Sequence, residues 1–173
     1  MFGYHGAVAS SNPKSHQTPS ERDLGIVDGL VQLSFLVQAV LGRVATSYDM
    51  SIIQARLIGM LRDRELGMAQ LARVLNLDKS SVSGLVDRAE VRGLVRRTTV
   101  PGDGRAVHVE LTAKGQKLAK AFAAEVEEQL NAASEDLSAT QRRNLSVLAT
   151  QIVLHHAATQ GLDLATGRRE LAR

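Results

Sequence analysis

Apolar residues recur at helical spacing over most of the chain, and the first long run follows Ser20 and ends near Thr46. Ser20 with Asp23 as a capping-box partner predicts where that helix begins. Its apolar side chains form two faces, one with Val27, Leu30, Val31, Val37, Leu41 and Val44, the other with Ile26, Leu33, Leu36 and Val40. A helix that is apolar on two sides is covered on two sides, either by its own chain or by a second copy of the protein.

The middle of the chain predicts three shorter helices, over 51–63, 68–75 and 79–92. The last two are joined by a tight connection, Asn76 to Asp78, with Asp78 as the N-cap of the second. The inner face of that second helix holds Val82, Leu85, Val86 and Ala89. Its outer side holds Lys79, Ser80, Ser81, Ser83, Gly84, Asp87 and Arg88. This is the layout of a helix-turn-helix whose second helix enters a DNA major groove, although short helix pairs also occur in bundles that bind nothing.

Period-two alternation follows over 94–100 and 105–111, separated by a turn over 101–104, and predicts a β-hairpin. Thr112 then caps a helix that runs to about Ser134. Ser138 and Gln141 form a capping box for a last helix that ends near Gly161, with Leu145, Leu148 and Ile152 inward. The fold class is therefore mainly α with a small β-hairpin, in the order ααααββαα.

Composition and charge narrow the range of binding partners and chemistry open to this chain. The chain has no cysteine, which excludes disulfides, thiolate zinc sites and thiol nucleophiles, and 3% aromatic residues are too few for the stacked-base platforms of single-strand binders. Residues 62–120 carry 12 basic and 7 acidic side chains, net +5, whereas residues 1–61 are neutral and residues 121–173 carry −2. A basic centre favours a polyanion such as duplex DNA, although an ordinary solvated face is the simpler explanation of charge alone.

The hairpin strengthens the DNA interpretation. Arg96 and Arg97 lie on its first strand, and Arg105 follows the glycines of its tip, where a thin projection can enter a minor groove. Gly84, inside a helix, suggests close approach of DNA or of a neighbouring helix, and packing is slightly favoured.

Residues 103–115, DGRAVHVELTAKG, match the D-x-R-x-x-x-x-x-L-T-x-x-G wing motif of the multiple antibiotic resistance regulator (MarR) family of bacterial winged-helix transcription factors. The preceding GLVDRAEVRGLVRR, residues 84–97, resembles the recognition helix of that family running into its wing. The motifs cover about residues 62–115.

The resemblance implies a homodimer that binds an inverted-repeat operator, represses transcription and is released by a small anionic aromatic effector. It implies DNA contacts from the recognition helix and the wing, with Asp103 orienting Arg105. The candidate DNA-binding residues are Lys79, Ser80, Ser81, Ser83, Arg88, Arg96, Arg97, Asp103 and Arg105.

The predicted organisation has four parts. Residues 1–19 are a flexible arm, 20–50 a dimerisation helix, 51–112 the winged helix-turn-helix domain, and 113–173 the C-terminal dimerisation helices. The uncharged stretch from Gly29 to Gly42 is shorter than a membrane span, so no membrane partner and a cytoplasmic location are expected.

Two other functions compete with DNA binding. An enzyme is disfavoured because the adjacent His155 and His156 lack the i, i+4 spacing of helical zinc ligands, and the acidic residues 125–136 have no accompanying base, nucleophile or phosphate loop. No cofactor is expected. Tyr48, Arg56 and His155 are candidates to line an effector cleft, but ordinary packing explains them better. A winged-helix module that binds only protein remains the alternative.

Overall fold

The computed structural model describes residues 23–100 and 103–159, and of residues 100 and 103–106 it describes the backbone. The elements, in chain order, are α1 (Gly25–Ser47), α2 (Ile52–Leu61), β1 (Leu66–Gly67), α3 (Met68–Leu75), α4 (Lys79–Val91), β2 (Val95–Val100), β3 (Asp103–Leu111), α5 (Ala113–Ala132) and α6 (Ala139–Thr159). The predicted fold class, mainly α with a small β wing, is confirmed.

The wing has one more strand than the sequence predicts. Leu66 and Gly67, expected only to close the second helix, pair with Val109 and His108 as strand β1. The antiparallel sheet therefore has the order β1-β3-β2, which makes β2 an edge strand. Two residues carry too little alternation to show a strand, so only pairing with β3 defines it.

Three predicted caps are present, and they set where α4, α5 and α6 begin. The Asp78 carboxylate accepts the backbone N–H three residues on at 2.8 Å, and the Thr112 hydroxyl accepts the corresponding N–H at 3.1 Å. Ser138 and Gln141 form the reciprocal capping box. A second box, between Ser51 and Gln54 at the start of α2, has the same chemistry and was not predicted.

Helix α1 begins at Gly25, whose N–H is accepted by the Asp23 carboxylate at 2.8 Å. The predicted start at Ser20 lies outside the described residues, as do the arm over 1–19 and the end of the last helix at Gly161. By length and composition alone, α1 would suffice to cross a membrane. This was not expected from its shorter uncharged stretch.

The chain divides into two compact units, residues 1–35 and 36–173. The described part of the first unit is the start of α1, and its large apolar side chains are exposed: Leu24, Ile26, Val27, Leu30, Val31, Leu33 and Phe35. In the second unit Val40 is 3% exposed and belongs to the core, whereas Leu36 is 41% exposed. Of these two residues of one predicted apolar face, this chain covers Val40 and leaves Leu36 exposed.

The core of the second unit is formed mainly by the winged module, residues 51–112. Its largest fully buried side chains come from α2, α3, α4 and the wing: Leu57, Ile58, Leu61, Leu71, Leu85, Val82, Val86, Val95 and Val109, with Val44 of α1. Among the described residues no polar or charged residue is buried. This core therefore closes by apolar packing alone.

Helix α6 is different, because only Ala157 of its residues is buried. The prediction that Leu145, Leu148 and Ile152 face inward is wrong for the single chain, in which they are 43%, 57% and 50% exposed. The spacing of these residues does form an apolar face, but no described part of this chain covers it.

Candidate nucleic-acid interface

The turn between α3 and α4 places α4 on the surface of the winged module. Asn76 adopts a left-handed conformation, φ 52° and ψ 50°, and the Leu77 N–H returns to the Ala72 carbonyl at 2.9 Å. Asparagine tolerates this conformation better than most residues, so the chain reverses within three residues. The inner side chains of α4, Val82, Leu85, Val86 and Ala89, are all buried as predicted.

The outer face of α4 begins with serines that take part in the cap. The Ser80 and Ser81 hydroxyls donate to the two Asp78 carboxylate oxygens at 2.5 and 2.6 Å. These hydrogen bonds, that of Ser80 first, hold the pKa of Asp78 well below its usual range. Because each hydroxyl has one proton and gives it to Asp78, both serines present only acceptor lone pairs outward.

Further along this face, Lys79 and Arg88 are exposed and Ser83 is half-buried. A Cβ built on Gly84 would meet one atom within 4 Å among the described residues, Arg88 Nη1 at 3.3 Å. The slight preference for packing as the reason for Gly84 therefore finds no support in the described part of the chain. Lys79, Ser83, Gly84 and Arg88 form an accessible surface.

The wing arginines do not project freely. Arg96 pairs with Glu110, its cross-strand neighbour, at 2.8 Å. Arg97 pairs with two carboxylates of α4, Asp87 at 2.6 Å and Glu90. Sequence reasoning placed Asp87 on the outer face and did not anticipate these pairs. The available indication was the three-residue spacing of the two acids, which puts them on one side of a helix.

At the wing tip, Asp103 and Arg105 are part of strand β3, which starts two residues earlier than predicted. Their side chains, and the turn residues 101 and 102, lie outside the described residues. The pairing of Asp103 with Arg105 therefore stays a prediction.

The motif residues after the wing fasten α5 to the module. A Cβ on Gly115 would lie 2.0 Å from the Leu94 carbonyl oxygen, so only glycine fits this contact. The Thr112 hydroxyl donates to the Gly93 carbonyl at 2.7 Å, and Lys114 Nζ to the Arg92 carbonyl at 2.8 Å. The L-T-x-x-G part of the motif thus has a packing role.

An open cleft of about 450 Å³ lies between α2 and α5. Its walls are mostly apolar, with Arg62, Glu127 and Asn131 as polar groups, and include Ile58, Phe122, Ala123, Val126 and Leu130. The three residues that the sequence offers as candidates to line an effector cleft do not line this one. Tyr48 packs edge-on against Phe122, with ring centroids 6.1 Å apart, and Arg56 and His155 are exposed.

Metal chemistry has no site in the part of the chain that the structure describes, since no group of three or more His, Asp or Glu side chains is close enough to hold an ion. The adjacent His155 and His156 are both exposed on α6.

Part of this chain is similar to one known protein family. Residues 48–106 match the family model described as "MarR family". Among proteins of curated function, none matches this sequence.

Solved structures match over most of the chain. The apo form of MarR from E. coli is 20% identical, with a TM-score of 0.64 over 76% of this chain and 98% of that one. NadR in complex with 4-hydroxyphenylacetate is 28% identical, with a TM-score of 0.63 over 79% and 96%. A MepR variant from S. aureus bound to an oligodeoxyribonucleotide is 21% identical, with a TM-score of 0.53 over 73% and 94%.

Proposed function

We propose that this chain is a winged-helix transcriptional regulator of the MarR family, a repressor that binds an inverted-repeat DNA operator as a homodimer. Recognition helix α4 enters the major groove and the wing reaches the adjacent minor groove. In this arrangement Lys79 and Arg88 contact phosphates, and Arg105, oriented by Asp103, enters the minor groove. Ser80 and Ser81, whose hydroxyl protons are held by Asp78, accept hydrogen bonds from donors on base edges, and Ser83 faces base edges or phosphates.

The outward face of α4 carries this proposal. Its inner side chains Val82, Leu85, Val86 and Ala89 are buried in the core of the module, which leaves Lys79, Ser83 and Arg88 of its outer face accessible. The net charge of +5 over residues 62–120 supplies the attraction to phosphates that duplex binding requires.

A salt titration tests DNA binding against the alternative, a winged helix that binds only protein. Operators are first selected from a random duplex library, and affinity is then measured at several ionic strengths. We expect an inverted repeat with half-sites about 10 bp apart and a log–log slope near −0.9 for each phosphate contacted. Failure to select any sequence, even at low salt, would favour the protein-binding alternative.

Exposed apolar side chains in two places, the first turns of α1 and the length of α6, support the proposed homodimer. Monomeric soluble proteins rarely leave contiguous apolar patches of this kind exposed. A second copy supplies the same surface in return, because a two-fold interface is self-complementary. Burial in a dimer, rather than in a bilayer, then accounts for the apolar character of α1 and is compatible with the cytoplasmic location that we propose.

We infer that the α2–α5 cleft takes a small anionic aromatic effector. Its apolar walls suit a ring, and Arg62 at its edge suits a carboxylate. NadR, a structural relative, was solved with 4-hydroxyphenylacetate.

The effector proposal is tested with a panel of aromatic carboxylates, using thermal shift and release of bound operator. Ala123→Leu fills the cleft, whereas Ala124→Leu changes the exposed neighbouring position and serves as the matched control. We expect only the first substitution to abolish the response. A response that survives it would place the effector elsewhere.

As in MarR-family regulators generally, we expect no catalytic activity. The chain acts through binding equilibria between DNA, its own second copy and an effector.

A further inference from the structure

The predicted DNA contact Arg97 sits in a polar cluster between the wing and the recognition helix. Its Nη2 lies 2.6 Å from an Asp87 carboxylate oxygen, and its Nη1 bonds Glu90. The other Glu90 oxygen accepts the Arg97 backbone N–H at 3.3 Å. Strand β2 lies at the edge of the sheet opposite β1. A backbone N–H that points away from β3 has no strand partner at this edge, and that of Arg97 is hydrogen-bonded by Glu90 of α4 instead.

We propose that Arg97 is a positioning residue, the internal counter-ion of the recognition helix, and not a phosphate contact. The proposal rests on the DNA-binding function given above. Arg97 holds strand β2 against α4 and neutralises two carboxylates that would otherwise repel the DNA backbone.

The accessibility of the three groups supports this role. The Arg97 side chain is 28% exposed, whereas Asp87 is 57% exposed on the outer face of α4. Without a cation beside it, Asp87 would present a negative charge toward the groove. Burial alone would lower the pKa of Arg97, but its bonds to Asp87 and the attraction of Glu90 outweigh burial and raise it. The guanidinium is therefore better stabilised here than in water.

The neighbouring candidate arginine of β2 differs from Arg97 in its exposure and in the number of its carboxylate partners. Arg96 has one carboxylate partner and a side chain that is 64% exposed, so it can turn toward a phosphate. Arg97 would have to leave two partners to do so, and both carboxylates would then be left without their cation. Strand β2 thus has one arginine committed to the module and one available to DNA.

The test compares removal of one charge with removal of all three. Arg97→Met leaves Asp87 and Glu90 unpaired, whereas the triple variant with Arg97→Met, Asp87→Asn and Glu90→Gln leaves no charge in the cluster. Removing one partner of an ion pair costs more than removing both. Operator affinity and its salt dependence are measured for both variants. Arg143→Met, on the exposed surface of α6, is the control for net charge, and circular dichroism confirms folding.

We expect the single substitution to weaken operator binding about tenfold and the triple variant to recover most of that loss. The log–log salt slope of the triple variant should equal that of the original protein. A triple variant as weak as the single one, or a slope shallower by about 0.9, would show that Arg97 itself contacts a phosphate and would overturn the proposal. If the unmodified protein selects no operator at all, the DNA-binding function fails, which is a separate result.

Discussion

Helices α4 and α6 have similar patterns of apolar residues but differ in how far this chain buries them. Both show apolar residues at i, i+3 and i+7, Val82, Leu85 and Ala89 in one and Leu145, Leu148 and Ile152 in the other. The apolar stripe of α4 is buried in the module, whereas that of α6 is about half exposed. An apolar stripe therefore shows that a helix face is to be covered, but not whether its own chain covers it.

This comparison distinguishes the folding stability of a single chain from the stability of the dimer. The core of the winged module is closed within one chain, with residues of α1 and α5 added to it, so damage to it should unfold a single chain. The face of α6 is completed, in our proposal, by a second copy, so damage there should separate chains that remain folded. Four substitutions test this separation, in order of decreasing effect.

Gly115→Ala should have the largest effect, at the junction that fastens α5 to the module. The added Cβ would lie 2.0 Å from a backbone oxygen of Leu94, which cannot move aside as a flexible side chain can. We expect a loss of at least about 3 kcal/mol in the free energy of unfolding, measured with urea. Gly59→Ala is the control, because nothing described lies within 4 Å of its new Cβ, and it should be neutral or stabilising. Equal stability of the two variants would refute the close contact.

Ile152→Glu should separate the two copies without unfolding either. A carboxylate placed in an apolar interface without a partner costs about 3 kcal/mol or more of dimerisation free energy. Sedimentation should show monomers, and operator binding should fall with them. Val91→Glu is the matched control, a β-branched residue that is 90% exposed on α4. A dimer that persists in the Ile152 variant would remove α6 from the interface.

Arg105→Ala should weaken operator binding by about 1–3 kcal/mol, the size of one well-placed DNA contact. Thermal stability should not change. Arg143→Ala removes an equal charge from the exposed surface of α6 and controls for net charge. If both substitutions have the same small effect, the wing tip has no specific role.

Gly84→Ala should have the smallest effect, and on stability it should be favourable. Alanine is about 1 kcal/mol better than glycine inside a helix, and the one described atom nearby belongs to the flexible end of Arg88. A rise in melting temperature accompanied by weaker operator binding would show that DNA approaches the helix closely at this point. A rise without weaker binding would leave the glycine without a role in recognition.

Much of the fold was predictable because caps and turns are local. Asp78, Thr112 and the Ser138–Gln141 pair act within three residues of themselves, and the structure has all of them in place. For the candidate site, the sequence predicted which face of α4 is exposed but not the contacts that its side chains make. The outer residues of α4 are outside as expected, but the Asp78 bonds of Ser80 and Ser81 and the two partners of Arg97 were not foreseen.

The sequence by itself determined the helices, the wing hairpin and the basic centre, because each depends on periodicity, capping or composition within a short stretch of chain. Tertiary structure alone decided the rest. Strand β1 exists through pairing with Val109, Val40 is inside because the core reaches it, and Arg97 faces α4 because the edge of the sheet lies beside that helix. Each of these depends on residues far apart in the chain, and spacing along the sequence does not record which of them come together.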